Sequence, residues 1–302
     1  MAGNGTKARG KGAPGTGAPG TGVPGTGRPA WPATELGART VSGIVLGLLV
    51  LGATLNGGWI FAVVWFLAGL AVVGEWLAMT RTSPHRPLLA VAGLVLLGAV
   101  AGARLAAPLP WLVGAVLVGL ALLALMARPA SGRIWAPASL AAALVVTLVP
   151  VLLRDDPRIG IAGPLWLFGV VWTTDIAAYF TGRSLGGPKL WPAVSPKKTW
   201  SGFCGGLIGA TIVGGAVAAG ARHLGATEAL SLPLACAFSA LGSVMSQGGD
   251  LAESALKRAY GAKDSGRLIP GHGGVMDRLD GFFAAALLAG LLLAGLTLVA
   301  QS

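Results

Sequence analysis

Charge is scarce in this sequence. Only 11% of its 302 residues are Asp, Glu, Lys or Arg, against roughly 25% in a soluble domain, and that deficit excludes an ordinary water-soluble fold. Cysteine is almost missing as well. Cys204 and Cys236 are the only two, both inside apolar segments, which argues against a disulfide framework or a zinc site and leaves packing as their role. No Walker A sequence occurs, so a P-loop nucleotide site is not expected. Nor does any nucleic-acid motif accompany the net charge of +11, so nucleic acid is not expected as a partner. The Lys and Arg excess is instead of the kind that keeps membrane loops in the cytoplasm. No apolar stretch precedes residue 40, which argues against a secretory signal peptide.

Hydrocarbon is what the chain has in quantity, at 54% hydrophobic residues. From about residue 40 onward, apolar stretches of roughly 18 to 22 residues recur, each long enough to cross a hydrocarbon core of about 30 Å as a helix. Spans are expected near 41–55, 58–77, 88–104, 108–127, 134–153, 160–181, 201–220, 230–249 and 281–300. The first runs through "NGG" at 56–58 into the second, so the count is eight or nine. The expected fold is therefore all-α, a polytopic integral membrane protein of about nine transmembrane helices, with its catalytic domain over 39–302. Residues 1–38 hold "GAPGTGAPGTGVPGTG", a five-residue repeat that excludes collagen, which needs glycine at every third position. This tail has nothing to bury and is expected to be disordered and cytoplasmic. Its Lys7, Arg9 and Lys11 serve either to solubilise it or to meet anionic lipid.

Sorting the basic residues by side tests the orientation. With the tail in the cytoplasm, nine spans leave only Arg104, Arg154, Arg158 and Arg222 on the far side, and every other Lys and Arg falls inside. The N-terminus is expected in the cytoplasm, the C-terminus outside, and the membrane is expected to be the inner (cell) membrane.

Two loops on the cytoplasmic side are rich in chemistry. The first, "TTDIAAYFTGRSLGGPKLWPAVSPKKTWSG" (173–202), begins with Asp175, about eight residues or roughly 12 Å of helix inside the span from Arg183. A carboxylate at that depth is a functional candidate unless it merely bonds a neighbouring helix. Further on, Pro196 keeps Ser195 extended ahead of Lys197 and Lys198, an ammonium pair that suits a polyphosphate or an anionic head group, or that simply marks topology. In the second loop, Asp250, Glu253 and Lys257 fall at helical spacings of three and four, with Ser254 and Arg258 beside them. A solvated helix would show the same Glu–Lys pairing, but Asp250 sits at a membrane exit directly after two glycines.

Gly271, Gly273 and Gly274 then surround His272, a composition that lets backbone N–H groups turn toward an anion before a helix begins at about Met276. Asp277 and Asp280 share one face at that helix entrance while Arg278 points elsewhere. Carboxylates in a first turn are often dipole partners. Here, together with Asp250, they offer the oxygen ligands that Mg²⁺ takes when it also keeps waters and phosphates. Acidic groups for a metal and basic groups for phosphates, all at the membrane face, imply phosphoryl or nucleotidyl transfer between a soluble nucleotide and a lipid head group.

The stretch "SALKRAYGAKDSGRLIPGHGGVMDRLD" (254–280), with "GGDLAES" and "SPKKTWSG" upstream, resembles the signature of the phosphatidate cytidylyltransferases, also called CDP-diacylglycerol synthases. The resemblance implies transfer of a cytidylyl group from CTP to phosphatidic acid, with pyrophosphate released, and Mg²⁺ and a second, monovalent cation as cofactors. It implies a homodimer with a polar cavity open to the cytoplasm. Placed on this sequence, it makes Asp250 and Asp277 the leading metal ligands, with Asp175 and Asp280 behind them. Lys197, Lys198, Lys257, Arg258, Lys263 and Arg278 would hold phosphates, in a substrate site that also takes in Ser254, Gly273 and Gly274. His272 serves either to donate to the leaving pyrophosphate or to fix the glycine loop. Rival readings are a CTP-dependent polyprenol kinase, a CDP-archaeol synthase and, from another class, a secondary transporter carrying Asp175 in the membrane.

Overall fold

In hydrocarbon no water is available to bond backbone N–H and C=O groups, so runs of Leu, Val and Ala must satisfy them internally, as helices. A computed structural model of the chain describes residues 35–224, 231–269 and 273–301. Among these the order is α1 (Glu35–Asn56), α2 (Gly58–Met79), α3 (His85–Arg104), α4 (Leu109–Met126), α5 (Gly132–Asp155), α6 (Ala162–Leu185), β1 (Lys189–Trp191), β2 (Ser195–Thr199), α7 (Trp200–His223), α8 (Leu232–Ala259) and α9 (Met276–Gln301). Residues 1–34 of the repeat tail lie outside the described residues.

The question at "NGG" is decided in favour of nine helices among the described residues. Gly57 adopts φ +68°, a conformation costly for any residue with a Cβ, and it breaks the chain between α1 and α2. Six helices, α2, α3, α4, α5, α7 and α9, are long and apolar enough to cross a membrane by length and composition. The apolar part of α1, Thr40–Asn56, is shorter. The other two, α6 and α8, fall outside that set and carry Asp175 and Arg183, and Gln247, Asp250, Glu253, Lys257 and Arg258, respectively. The chain is a polytopic, all-α membrane protein.

Two apolar cores share α2. One joins α2 to α3, α4 and α5 through Val73, Leu77, Leu88, Leu96, Leu123 and Leu140. The other joins α2 and α5 to α6 and α9 around a run of aromatic rings. Trp65 stacks on Phe282 at 4.8 Å and on Phe168 at 5.8 Å, and Phe168 stacks in turn on Trp172 at 5.6 Å. Such pairs are each worth about 1 kcal/mol beyond the area they bury. This stack ties the first half of the bundle to the helices that carry the polar residues.

The helix boundaries differ from the expected spans where polar residues begin. α6 runs on to Leu185 and α8 to Ala259, while α9 opens at Met276, where its helix was expected to begin, ahead of the apolar span near 281–300. Hydropathy falls off at the first charged residues, but backbone hydrogen bonding continues through them. The segment between α6 and α7 folds back as an antiparallel hairpin, with Lys189 opposite Thr199 and Trp191 opposite Ser195. Ser195 and Pro196 are extended there, as the proline dictates.

Candidate active site

Three structural devices bring polar side chains to one end of the bundle. The first is a stripe on α8. Ser239, Ser243 and Gln247 follow one another at four-residue intervals, are buried, and so share a face. Each bonds across to another helix: Trp166 Nε1 donates to Ser239 Oγ at 2.8 Å, Thr174 Oγ1 to Ser243 Oγ at 2.9 Å, and Gln247 Nε2 to Phe203 O at 3.3 Å. Interhelical bonds of this kind fix the rotation of a helix within a membrane. Three residues further along the same face stands Asp250.

The second device is the seam between α6 and α7. A Cβ built on Gly202 would meet Ala178 O at 2.8 Å, and one on Gly206 would meet Thr174 O at 2.9 Å. Only small residues permit that approach, as in other close helix pairs in membranes. Thr199 accepts a bond from Gly202 N at 3.1 Å and caps α7, while Ser201 Oγ donates to Gly186 O at the end of α6. The seam therefore places Asp175 of α6 on the same cavity as Lys197 and Lys198 of β2.

The third is the opening turn of α9. Asp277 Oδ1 accepts from Lys257 Nζ at 2.8 Å and from Ser265 N at 3.1 Å, and its Oδ2 accepts from Ser265 N and Gly274 N, both at 2.9 Å. Lys257 also pairs with Glu253 at 3.1 Å. A carboxylate from a distant helix, Glu75 of α2, accepts from Val275 N at 2.9 Å, from Met276 N at 2.8 Å and from Ser265 Oγ at 3.1 Å.

These elements enclose a cavity of about 820 Å³. Four carboxylates line it, Asp175, Asp250, Asp277 and Asp280, together with Arg183, Lys189, Lys197, Lys198 and Arg278. Within it Lys198 Nζ lies 2.5 Å from Asp250 Oδ2, and Ser254 Oγ donates to Asp250 Oδ1 at 3.3 Å. A smaller apolar pocket of about 110 Å³, near the opposite helix ends and lined by Leu153, Trp166, Phe238 and Leu293, offers no comparable set of groups.

Comparison with known proteins gives this geometry its context. The model of the "Cytidylyltransferase family" matches residues 37–296. The chain belongs to that family. A phosphatidate cytidylyltransferase of Brucella suis is 44% identical over 257 residues, covering 84% of this chain and 92% of the relative. Proteins of the same name from Bacillus subtilis and Haemophilus influenzae are 42% and 40% identical over 43% and 55% of this chain, covering 46% and 62% of the relatives.

In this cytidylyltransferase-family chain, the described residues among those expected from sequence divide into three groups. Asp175, Lys197, Lys198, Asp250, Asp277, Arg278 and Asp280 stand together on the cavity wall. Arg278, expected to point away from the two aspartates, lines the same cavity. Behind the wall lie Lys257, committed to Glu253 and Asp277, Ser254, committed to Asp250, and Gly273 and Gly274, the latter donating to Asp277. Arg258 and Lys263 are exposed outside the lining, Arg258 donating to Ala262 O at 3.5 Å near the end of α8. His272 lies outside the described residues.

Several residues on or beside the site carried no functional expectation: Glu75, Tyr179, Thr199 and Gln247. A signal existed for Glu75, which is the only acidic residue between Glu35 and Asp155 and sits in an apolar span, a position that marks function by default.

The donor set suits Mg²⁺. Among the described residues no three His, Cys, Asp or Glu side chains gather closely enough to hold a metal ion by themselves. Mg²⁺ does not require that, since it takes one or two carboxylates and completes its shell with water and phosphate oxygens. Asp175, Asp250 and Asp280 offer such oxygens to the cavity; those of Asp250 are held by the side chains of Lys198 and Ser254, which a ligand can displace, whereas both oxygens of Asp277 accept from backbone N–H groups as well as from Lys257.

Proposed function

We propose that this chain transfers a cytidylyl group from CTP to phosphatidic acid, producing CDP-diacylglycerol and pyrophosphate for phospholipid synthesis. The observation that carries the proposal is the cavity at one end of a membrane bundle whose wall combines carboxylates with lysines and arginines. Family membership supports the nucleotide chemistry, and the name of the Brucella suis relative supports the lipid. A cavity of that size has room for a nucleotide alongside a lipid head group.

The phosphate of phosphatidic acid attacks the α-phosphorus of CTP, a new P–O bond forms, and the bond to the β-phosphate oxygen breaks in line. No side-chain base is needed, because the second ionisation of a phosphate, near pH 6, leaves the nucleophile largely dianionic at neutral pH. Lys197, Lys198 and Arg278, joined by Arg183 and Lys189, hold the polyphosphate and take up charge as pyrophosphate departs. Asp250, with Asp280 and Asp175, would hold Mg²⁺, which when bound supplies charge neutralisation on the phosphate oxygens. Asp277 keeps the start of α9 in place through Lys257, Ser265 and Gly274. Fixed orientation of the two reactants does the rest.

The cavity end faces the cytoplasm and the N-terminus lies inside. Support comes from the basic residues, since Arg81, Arg86, Arg128 and Arg133 lie near the cavity-side helix ends while Arg104, Arg154 and Arg158 lie near the opposite ones. The active unit is a homodimer in the cell membrane, a reading that rests on the family resemblance, as does a second, monovalent cation.

The test is direct. Purified protein is mixed with labelled CTP, phosphatidic acid and Mg²⁺, and label is expected in the lipid fraction as the cytidylylated product, with stoichiometric pyrophosphate. Label that stays in water, or transfer that proceeds equally with a polyprenol in place of phosphatidic acid, would overturn it.

A further inference from the structure

Glu75 touches none of the chemistry described above, yet the first half of the chain sends it to the foot of the site. It stands about one turn before the end of α2 and is 5% exposed. Among the described residues its hydrogen bonds come from the segment that leads into α9 and from the first residue of that helix: the N–H groups of Val275 and Met276 and the hydroxyl of Ser265. Packing around it is tight, for a Cβ built on either Gly266 or Gly274 would strike the Glu75 carboxyl group. Beside it Val72, Met79 and Met276 form a small apolar cluster that closes the contact.

A helix's first turn has N–H groups that no intrahelical carbonyl can reach, and its dipole favours negative charge there. Water cannot meet that need inside a bundle. At the entrance to α9 Glu75 meets that need for Met276, while Asp277 turns back to N–H groups of the segment ahead of the helix. Asp277 takes the N–H groups of Gly274 and Ser265, and Glu75 takes the next two N–H groups along, with Ser265 bonded to both acids. The direction in which α9 sets out, and with it the placement of Asp277, Arg278 and Asp280 on the cavity wall, is therefore fixed from α2.

We infer that Glu75 is a positioning residue for the transfer reaction: it touches no substrate and acts by holding the opening turn of α9 so that Asp280 and Arg278 face the cavity. The inference rests on the CTP and phosphatidate reading given above. Its test compares wild type with Glu75→Ala and Glu75→Gln as purified full-length proteins, measuring initial rates against CTP and against Mg²⁺, and thermal unfolding in the same detergent. For the folded fraction of Glu75→Ala, kcat is expected to fall about 100-fold, the usual consequence of misplacing reacting groups by about 1 Å, and the half-saturating Mg²⁺ concentration is expected to rise. Glu75→Gln keeps one carbonyl acceptor but turns an NH₂ toward an N–H donor, and it is expected to recover part of that loss. Lower unfolding temperatures with wild-type kcat and wild-type Mg²⁺ dependence would overturn the inference and leave Glu75 a purely structural cap. Should Glu75→Ala not fold, Glu75→Gln decides on the same two readouts. The wild-type reaction run alongside separates the two levels: absence of a cytidylylated lipid there defeats the function, whereas its presence with unaltered variants defeats only the role of Glu75.

Discussion

Asp250 and Asp277 are a pair of aspartates on one cavity whose surroundings make opposite demands. Asp250 meets Lys198 in a pair whose side chains are 29% and 25% exposed, so its loss should cost little in stability, within about 1 kcal/mol for such a pair. Asp277, with its side chain 5% exposed, holds Lys257 and two backbone N–H groups, and removing its charge leaves the nearly buried Lys257 with Glu253 as its one carboxylate partner among the described residues, a loss of about 2 kcal/mol for a charge-assisted bond. Asp250→Asn should accordingly abolish pyrophosphate release while leaving the unfolding temperature nearly unchanged. Asp277→Asn should lose both activity and stability. Calorimetry or dye-based unfolding beside a turnover assay separates the two, and equal stability losses would show that these partners are not what distinguishes them. Lys198→Ala should weaken CTP binding, visible as a rise in KM of about tenfold or more if the ammonium contributes a charge-assisted bond worth about 1.5 kcal/mol or more, and it should leave the bundle folded.

Among the elements, the α6–α7 seam carries a strict steric demand. Gly206→Ala sets a methyl against the carbonyl of Thr174 at 2.9 Å, which only a backbone shift can relieve, and overpacking of that kind costs about 1 to 3 kcal/mol. Since Thr174 precedes Asp175, the same substitution should lower activity. Gly98→Ala on α3 is the matched control, because a Cβ there meets nothing within 4 Å, and its effect should stay within about 1 kcal/mol. Thermal unfolding of the two variants checks the contrast. Hydropathy alone located these helices well wherever their ends are apolar, since a span is written in consecutive residues. It stopped short on α6 and α8, whose last turns are charged, and it gave no sign of the β1–β2 pairing, which depends on two short segments meeting. Glu75 stood out as a lone acid in an apolar span, but what it holds was out of reach for the same reason. Its partners lie about 200 residues further on, and a single sequence carries no record of that contact.

For the molecule as a whole, the cavity is assembled almost entirely from residues 175–280, so the catalytic motifs could be read together in one region, while helices α2 and α5 supply the frame. Orientation follows from where those motifs emerge. With Cys204 and Cys236 replaced by serine, a cysteine at Ser131, between α4 and α5, should react only with a membrane-permeant thiol reagent in intact cells. One at Leu105, 71% exposed beyond the end of α3, should react with an impermeant reagent; the reverse pattern would invert the topology. The contact between Lys198 and Asp250 bears on how ligands come and go. A resting enzyme whose ammonium neutralises its own carboxylate presents neither charge in full to a visitor. On the proposed reading an arriving triphosphate would claim the lysine and thereby release the aspartate, so nucleotide and divalent ion should reinforce each other's affinity by the same factor, as linkage requires. Calorimetric titration with Mg²⁺ alone should register weak uptake, and the same titration in the presence of a non-hydrolysable CTP analogue should register a markedly tighter one.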